Sequence, residues 1–261
     1  MKRVDLLAAV ALLASMTGNA WAQGFDALVL PPRFEDSARQ GNVYRNVIEI
    51  QSASPSPTRF NIRTADWVLD ANGDAVFDYK LAPDSCRPWV GLEATEALVE
   101  ANGRKRLRFE VAVPADAPSG QCRFAIMVEG QPQTTEAGMS VAGRIGIIVY
   151  LTIGDGAARL AITDIRVESI EGRELPVVSV RNDGNAHGRL QGFVAGLDAE
   201  GRRWTLIPVS HPVLPGVTRQ IPLEPIPDED SGPAALAFPI QLRGQLDWGG
   251  QRIPVEGTAN R

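Results

Sequence analysis

The sequence predicts an all-β protein: two β-sandwich domains in tandem, behind an export signal. Three observations lead there. Apolar residues recur with the two-residue period of strands, whereas no window carries a capped stripe of 3.6-residue period. Turn signals such as Asn72-Gly73 and Asn182-Asp183-Gly184-Asn185 punctuate the chain about every ten residues. The small-residue run Gly154-Asp155-Gly156-Ala157 divides two such series of strands.

Residues 1–22 have the order of a secretory signal: Lys2 and Arg3, an apolar run from Leu6 to Met16, and Ala20-Trp21-Ala22 at a cleavage site. The apolar run is shorter than the roughly 20 residues that span a bilayer. Mature chain is expected from Gln23, in an oxidising compartment, as a periplasmic protein without membrane insertion. The formal net charge is −5, and no basic stretch marks a nucleic-acid groove.

In the first domain (23–154), Phe25–Leu30 is a short apolar run and Val43–Ile50 alternates with one irregular step. Arg59–Leu69 alternates through Phe60, Ile62 and Thr64, then Trp67 and Leu69 after a bulge. Asp70–Asp74 is a turn. Leu107, Phe109, Val111 and Val113 alternate with Arg106, Arg108 and Glu110 until Pro114 and Pro118-Ser119-Gly120 end the strand. Cys122–Glu129 and Ile145–Ile153 complete the set. Cys86 and Cys122 are the two cysteines of the chain. In an exported protein the pair most simply forms one disulfide. Metal binding is the rival reading, against which no histidine stands near either cysteine.

In the second domain (155–261), strands are expected around Leu160–Val167, Val177–Val180, Gln191–Leu197, Trp204–Val209, Val217–Leu223, Phe238–Gly244 and Arg252–Val255. Pro222–Pro233, with Asp228, Glu229 and Asp230, reads as a solvated loop. His187 and His211 are the only histidines, and His187 reads as an exposed turn residue. No Gly-x-Ser-x-Gly and no His-Glu-x-x-His occurs, so no enzyme chemistry is expected, nor any cofactor or metal. Asp70, Asn72 and Asp74 open like a calcium loop, but Gly73 stands at its fourth position and Leu81 at its twelfth. Trp67 and Trp89 read as packing residues.

Several phrases in the first domain, taken in order, carry a resemblance. They are Leu28-Val29-Leu30-Pro31-Pro32-Arg33-Phe34-Glu35, Ala65-Asp66-Trp67-Val68-Leu69-Asp70, Val113 to Gly120, and Arg144 to Leu151. The chain resembles a divergent member of the PapD-like periplasmic chaperones of pilus assembly. The resemblance implies two immunoglobulin-like β-sandwich domains and a binding function. Such a chaperone lends its last first-domain strand to a pilin-like secreted subunit that lacks one, and delivers the subunit to an outer-membrane usher. Basic residues in the cleft between the two domains of such a chaperone hold the subunit's terminal carboxylate.

Carried over by position, Arg33 is the first basic anchor. The second anchor falls where this chain has Ile147 and Ile148, and Arg144 is the nearest basic substitute. Met139, Val141, Ile145 and Ile147 are the candidate donor residues, diluted by Gly138, Ser140, Ala142 and Gly143. The resemblance also implies a self-capping dimer of the free chaperone. Two other readings stay open at this point: a secreted or periplasmic adhesion module, and a minor structural component of a pilus.

Overall fold

The computed structural model describes residues 27–70, 72–134, 140–226 and 235–261. The signal segment, Gln23 and Met139 lie outside the described residues, as do Asp228, Glu229 and Asp230.

The first domain is built from β1 (Ala27–Leu30), β2 (Arg33–Ala38), β3 (Val43–Ser52), β4 (Thr58–Leu69), β5 (Ala75–Asp78), β6 (Val90–Leu92), β7 (Glu96–Val99), β8 (Arg104–Ala112), β9 (Gly120–Gly130), the short β10 (Gln133–Thr134) and β11 (Ser140–Val141), and β12 (Arg144–Ile153). One sheet has the order β1-β3-β8-β6. The other has the order β2-β12-β9-β4-β5, with β7 also on β4. Between them, Ile48, Ile50, Phe60, Val111, Phe124, Ile126, Ile147 and Leu151 are sealed from solvent. Phe109 bridges the layers, with ring centroids 5.2 Å from Phe34 and 6.4 Å from Phe124. Ile48, Ile50, Phe60 and Val111 are alternating positions of the sequence pattern, whereas Phe124, Ile126, Ile147 and Leu151 come from the more continuous apolar runs of β9 and β12.

β2 is a strand the pattern does not announce, since its sequence is Arg-Phe-Glu-Asp-Ser-Ala and only Phe34 is a large apolar residue. It arises because the chain changes sheets at Pro31-Pro32. β1 pairs antiparallel with β3, and β2 then lies parallel to β12, Arg33 opposite Ile148 through Ala38 opposite Ile153.

Cys86 and Cys122 are joined, 36 residues apart in sequence with Cα atoms 5.6 Å apart. Beside the bond, Arg87 donates to Thr64 O (2.8 Å) and Thr64 Oγ1 (3.1 Å) and pairs with Asp66 (3.2 Å). Asp66 also accepts from Ser85 Oγ and the Ala82 amide. The bond and this largely buried ion pair fasten the long β5–β6 connection to β4 and β9.

The second domain comprises β13 (Leu160–Ile170), β14 (Arg173–Asn182), β15 (Gln191–Leu197), β16 (Arg203–Pro208), β17 (Thr218–Pro225), β18 (Ile240–Trp248) and β19 (Gln251–Ala259). Its hydrogen-bonded order is β13-β14-β17-β16-β15-β18-β19. β17 bends from one layer to the other: Thr218–Pro222 pair with β14 and Leu223–Pro225 with β16. The layers close over Val178, Val180, Val194, Leu206, Leu223 and Leu246. The far edges meet where the Val167 amide donates to Asn260 O at 3.2 Å.

A closed loop of this size stabilises by roughly 3–4 kcal/mol in the chain-entropy account. Replacing both cysteines with serine should therefore reduce hydrogen-exchange protection of the Phe124 and Val128 amides by about two orders of magnitude. Protection of Val178 and Val180 in β14 should stay within a few-fold. Equal loss in both domains would mean that the bond does not act on the first domain alone.

Candidate functional site

The outer face of the six-stranded sheet, turned from the first core, is where the domains meet. Ala65 and Trp67 of β4, Ala125 and Met127 of β9, Tyr150 of β12 and Leu214 of the second domain form a separate buried cluster. Trp67 meets the Tyr150 ring edge-on, with centroids 5.2 Å apart and planes at 81°. Trp67 is thus a packing residue, but of the interface rather than of the first core. Beside it stands Arg123, opposite Tyr150 in register, its Cζ 5.6 Å from the Trp67 ring. Burial pushes the Arg123 pKa down, with the Tyr150 and Asp84 charges opposing.

Asn182 brings the second domain's loop to this face. It is fully buried and hydrogen-bonds on every side. Its Nδ2 donates to Ala186 O and Val213 O, each at 2.8 Å, and its Oδ1 accepts from the Arg159 and Gly184 amides at 3.0 and 2.9 Å. A side chain at Gly184 would collide with Ala157 and Arg159 backbone, so only glycine lets the loop close onto the interdomain segment. The turn signature Asn182-Asp183-Gly184-Asn185 is therefore a rigid mount. It carries Asn185, which donates to Ser119 O at 2.9 Å, and then His187 and Arg189.

Those two residues converge on Glu35 of β2. Arg189 Nε lies 3.1 Å from Glu35 Oε1, its Nη1 donates to Ser210 O at 2.7 Å, and its Cζ lies 5.6 Å from the Tyr150 ring. His187 stacks on Tyr150, with centroids 3.9 Å apart and planes at 28°. Gln121 fixes the imidazole by donating to Nδ1 at 2.8 Å and accepting the His187 amide at 3.1 Å. That arrangement leaves the ring proton on Nε2, which faces Glu35 Oε2 at 3.5 Å. The His187 side chain is only 10% exposed, which corrects its reading as an exposed turn residue. Arg33 Nε approaches the same Glu35 carboxylate at 2.6 Å. The hydrogen bond from His187, opposed by burial and helped by the Arg189 and Arg33 charges, holds Glu35 at about 2, below its ordinary 4.5. A crevice of about 670 Å³ opens beside this group, lined by Glu35, His187, Arg189, Arg159 and the Trp248–Gly249 turn.

The expected donor and anchor residues fall into different places. Arg33 sits at the head of β2, half exposed and paired with Glu35. Arg144 does not stand beside it. It opens β12 opposite Glu129, four residues before the partner of Arg33, or roughly 13 Å at strand spacing. Val141 is exposed on β11, in the small β10–β11 hairpin. Ile145 packs partly against the first core. Ile147 is fully buried in that core, so it turns inward and cannot fill another protein's groove with its side chain.

The backbone of this segment is placed differently from its side chains. β12 pairs with β9 along its whole length but with β2 only from Ile148 onward. Among the described residues, no strand covers the other edge of Arg144–Ile147.

Glu35, Tyr150, His187 and Arg189 were not singled out from sequence as site residues. Their meeting depends on the parallel β2–β12 register, which sets Glu35 opposite Tyr150, and on docking of the second domain.

The depressed Glu35 pKa gives a stability contribution present above about 4.5 and lost as pH falls through about 2. With a third of the side chain exposed, solvent screening limits it to roughly 1 kcal/mol. Glu35→Gln should thus lower unfolding free energy by about that much at pH 7, and the gap should close between pH 4.5 and 2. Paired urea titrations across that window check it, and a gap independent of pH would contradict the ion-pair origin.

No protein-family model matches this chain, and no curated protein matches it. Solved structures do. The chain is similar to the YadV chaperone, at 10% identity over 89% of this chain and 99% of that one, with a TM-score of 0.47. It is similar to a structure of the SafA pilin in complex with the SafB chaperone from Salmonella enterica, at 14% identity over 90% and 97%, with a TM-score of 0.47. It is also similar to the E. coli chaperone DraB, at 13% identity over 89% and 99%, with a TM-score of 0.44.

Proposed function

We propose that this protein is a periplasmic chaperone that caps pilin-like secreted subunits and hands them to an outer-membrane usher. The observation that carries the reading is the edge of β12 over Arg144–Ile147, unpaired among the described residues, with Arg33 at the head of β2 directly beyond it. An edge of unpaired N–H and C=O groups is a template for another strand. An incomplete immunoglobulin-like subunit needs such a strand. β-augmentation at this edge would satisfy both surfaces at once, with no cofactor and no chemical step.

Arg33 fits the role of carboxylate anchor. Its pair with Glu35 uses Nε, and the Nη groups remain as donors for a second carboxylate in a fork geometry. Arg189 of the second domain holds Glu35 in place beside Arg33, with its own donors taken by Glu35, Ser210 O and the Tyr150 hydroxyl. The same open edge on a second copy would allow the free protein to pair with itself as a capped dimer.

The test is co-expression with a pilin-like subunit and recovery of soluble complex from periplasm. Loss of charge-assisted hydrogen bonds costs roughly 1.5–3 kcal/mol, so Arg33→Ala should lower recovery about ten-fold or more while leaving the melting temperature nearly unchanged. Unchanged recovery removes Arg33 from the anchor role. If the wild-type chain retains glycan or wall polymer instead of a subunit, it is an adhesion module. Recovery in sheared fibres would make it a pilus component.

A further inference from the structure

The outer face of β12 carries a glycine at the centre of its open-edged segment. Gly146 lies between Ile145 and Ile147, which turn toward the first core, so position 146 is where a side chain would stand over the outer face. A Cβ there would lie 2.7 and 3.0 Å from Cε1 and Cε2 of Phe77, and closer still to Cζ. The ring of a residue on β5 therefore occupies the volume that a side chain on β12 would fill. A bulky group at 146 and the ring of Phe77 exclude each other.

The placement is held from several directions. Phe77 is the cross-strand partner of Trp67, whose indole is packed on Tyr150. Two residues on, the Tyr79 hydroxyl donates to Glu129, the β9 partner of Arg144, and the Arg63 guanidinium lies 3.5 Å from the Tyr79 ring centroid. At the hairpin tip, Arg219 of the second domain donates to Asp70 O at 3.0 Å. The β4–β5 hairpin is thus fastened at both ends, and the tip of the Phe77 ring rests on the strand with the free edge. The ring is half buried rather than sealed.

We infer that Phe77 is a guest-binding residue: it supplies from β5 the apolar side chain that β12 lacks at Gly146. An extended segment of an incomplete β-sandwich subunit, paired along Arg144–Ile147, places its own side chains beside position 146. There they meet the ring. Cross-strand neighbours on one face interact at such spacing, and aromatic partners do so strongly. The inference rests on the chaperone reading, because it needs a guest strand at that edge.

The experiment compares the wild-type chain, Phe77→Ala and the double variant Phe77→Ala/Gly146→Val, each co-expressed in the periplasm with a pilin-like subunit. Phe77→Ala should lower recovered complex at least ten-fold, and the double variant should restore it to within a few-fold, because valine returns apolar bulk to the same spot from β12. Recovery by Phe77→Ala equal to wild type overturns the inference, as does failure of a natively folded double variant to rescue. In the isolated protein, Phe77→Ala should also shift the Gly146 Hα resonance downfield by removing the ring current. An unmoved resonance overturns the seating itself. Capture of nothing by the wild type is a different outcome: it overturns the chaperone reading while the resonance still reports on the ring.

Discussion

Where β2 stops pairing with β12 decides most of what this molecule exposes. Continued one step backward in the parallel register, Arg33 opposite Ile148 would bring Pro32 opposite Ile147 and Pro31 opposite Gly146. Prolines carry no amide hydrogen to donate to the ladder. The residues before them, Val29 and Leu30, are already bonded to Ile50 and Glu49 in the other sheet. β2 therefore pairs with β12 only from Arg33 onward, and among the described residues no strand covers that edge of Arg144–Ile147. The same switch helps close the sandwich, because β1 and β2 each cover a different layer and Phe34 locks their junction into the core against Phe109.

From that junction a second consequence follows. β2 leaves the switch with Arg33 and Glu35 on the outer face, since Phe34 between them is buried. Glu35 then meets three cationic or protonatable groups, one from its own strand and two from the loop that Asn182 mounts. Paired, it ties the relative orientation of the two lobes to the register of a single strand. Tyr150 serves both sides: it packs on Trp67 in the first domain and receives the His187 ring from the second. Docking of the lobes and presentation of Arg33 are consequently one structural problem.

The parts of this arrangement that could be read from sequence are those set by local periodicity. Phe60 and Phe109 alternate with polar neighbours and lie in the core, and the apolar runs Cys122–Glu129 and Ile145–Ile153 are the two strands that cross it. The Cys86–Cys122 pair follows from parity and compartment. β2 escaped because a strand carrying one large apolar residue has no period to detect, and its partner is more than a hundred residues away. The Glu35 cluster escaped for a related reason. Its members come from β2, β12 and a loop of the other domain, and sequence spacing holds no record of a parallel register. His187 shows how a turn signature misleads: Asn182-Asp183-Gly184-Asn185 marks a turn correctly, but burial of Asn182 turns the following residues inward rather than toward solvent.

The two faces of β12 limit what it could offer a strand paired at its open edge. A residue on β12 can point to the core or to the outer face but not to both. Ile145 and Ile147 point to the core, where removing them would open a cavity in the first domain. The outer positions over the same stretch are Arg144 and Gly146, and neither carries apolar bulk of its own. A guest paired there gains main-chain hydrogen bonds from β12, but it has to find its apolar contacts elsewhere on the face. On the proposed reading the β4–β5 hairpin would provide them, because the Phe77 ring lies over β12 where Gly146 leaves room for it. Main-chain pairing and apolar contact would then come from two different strands, and β12 would keep its own side chains in the core of the first domain.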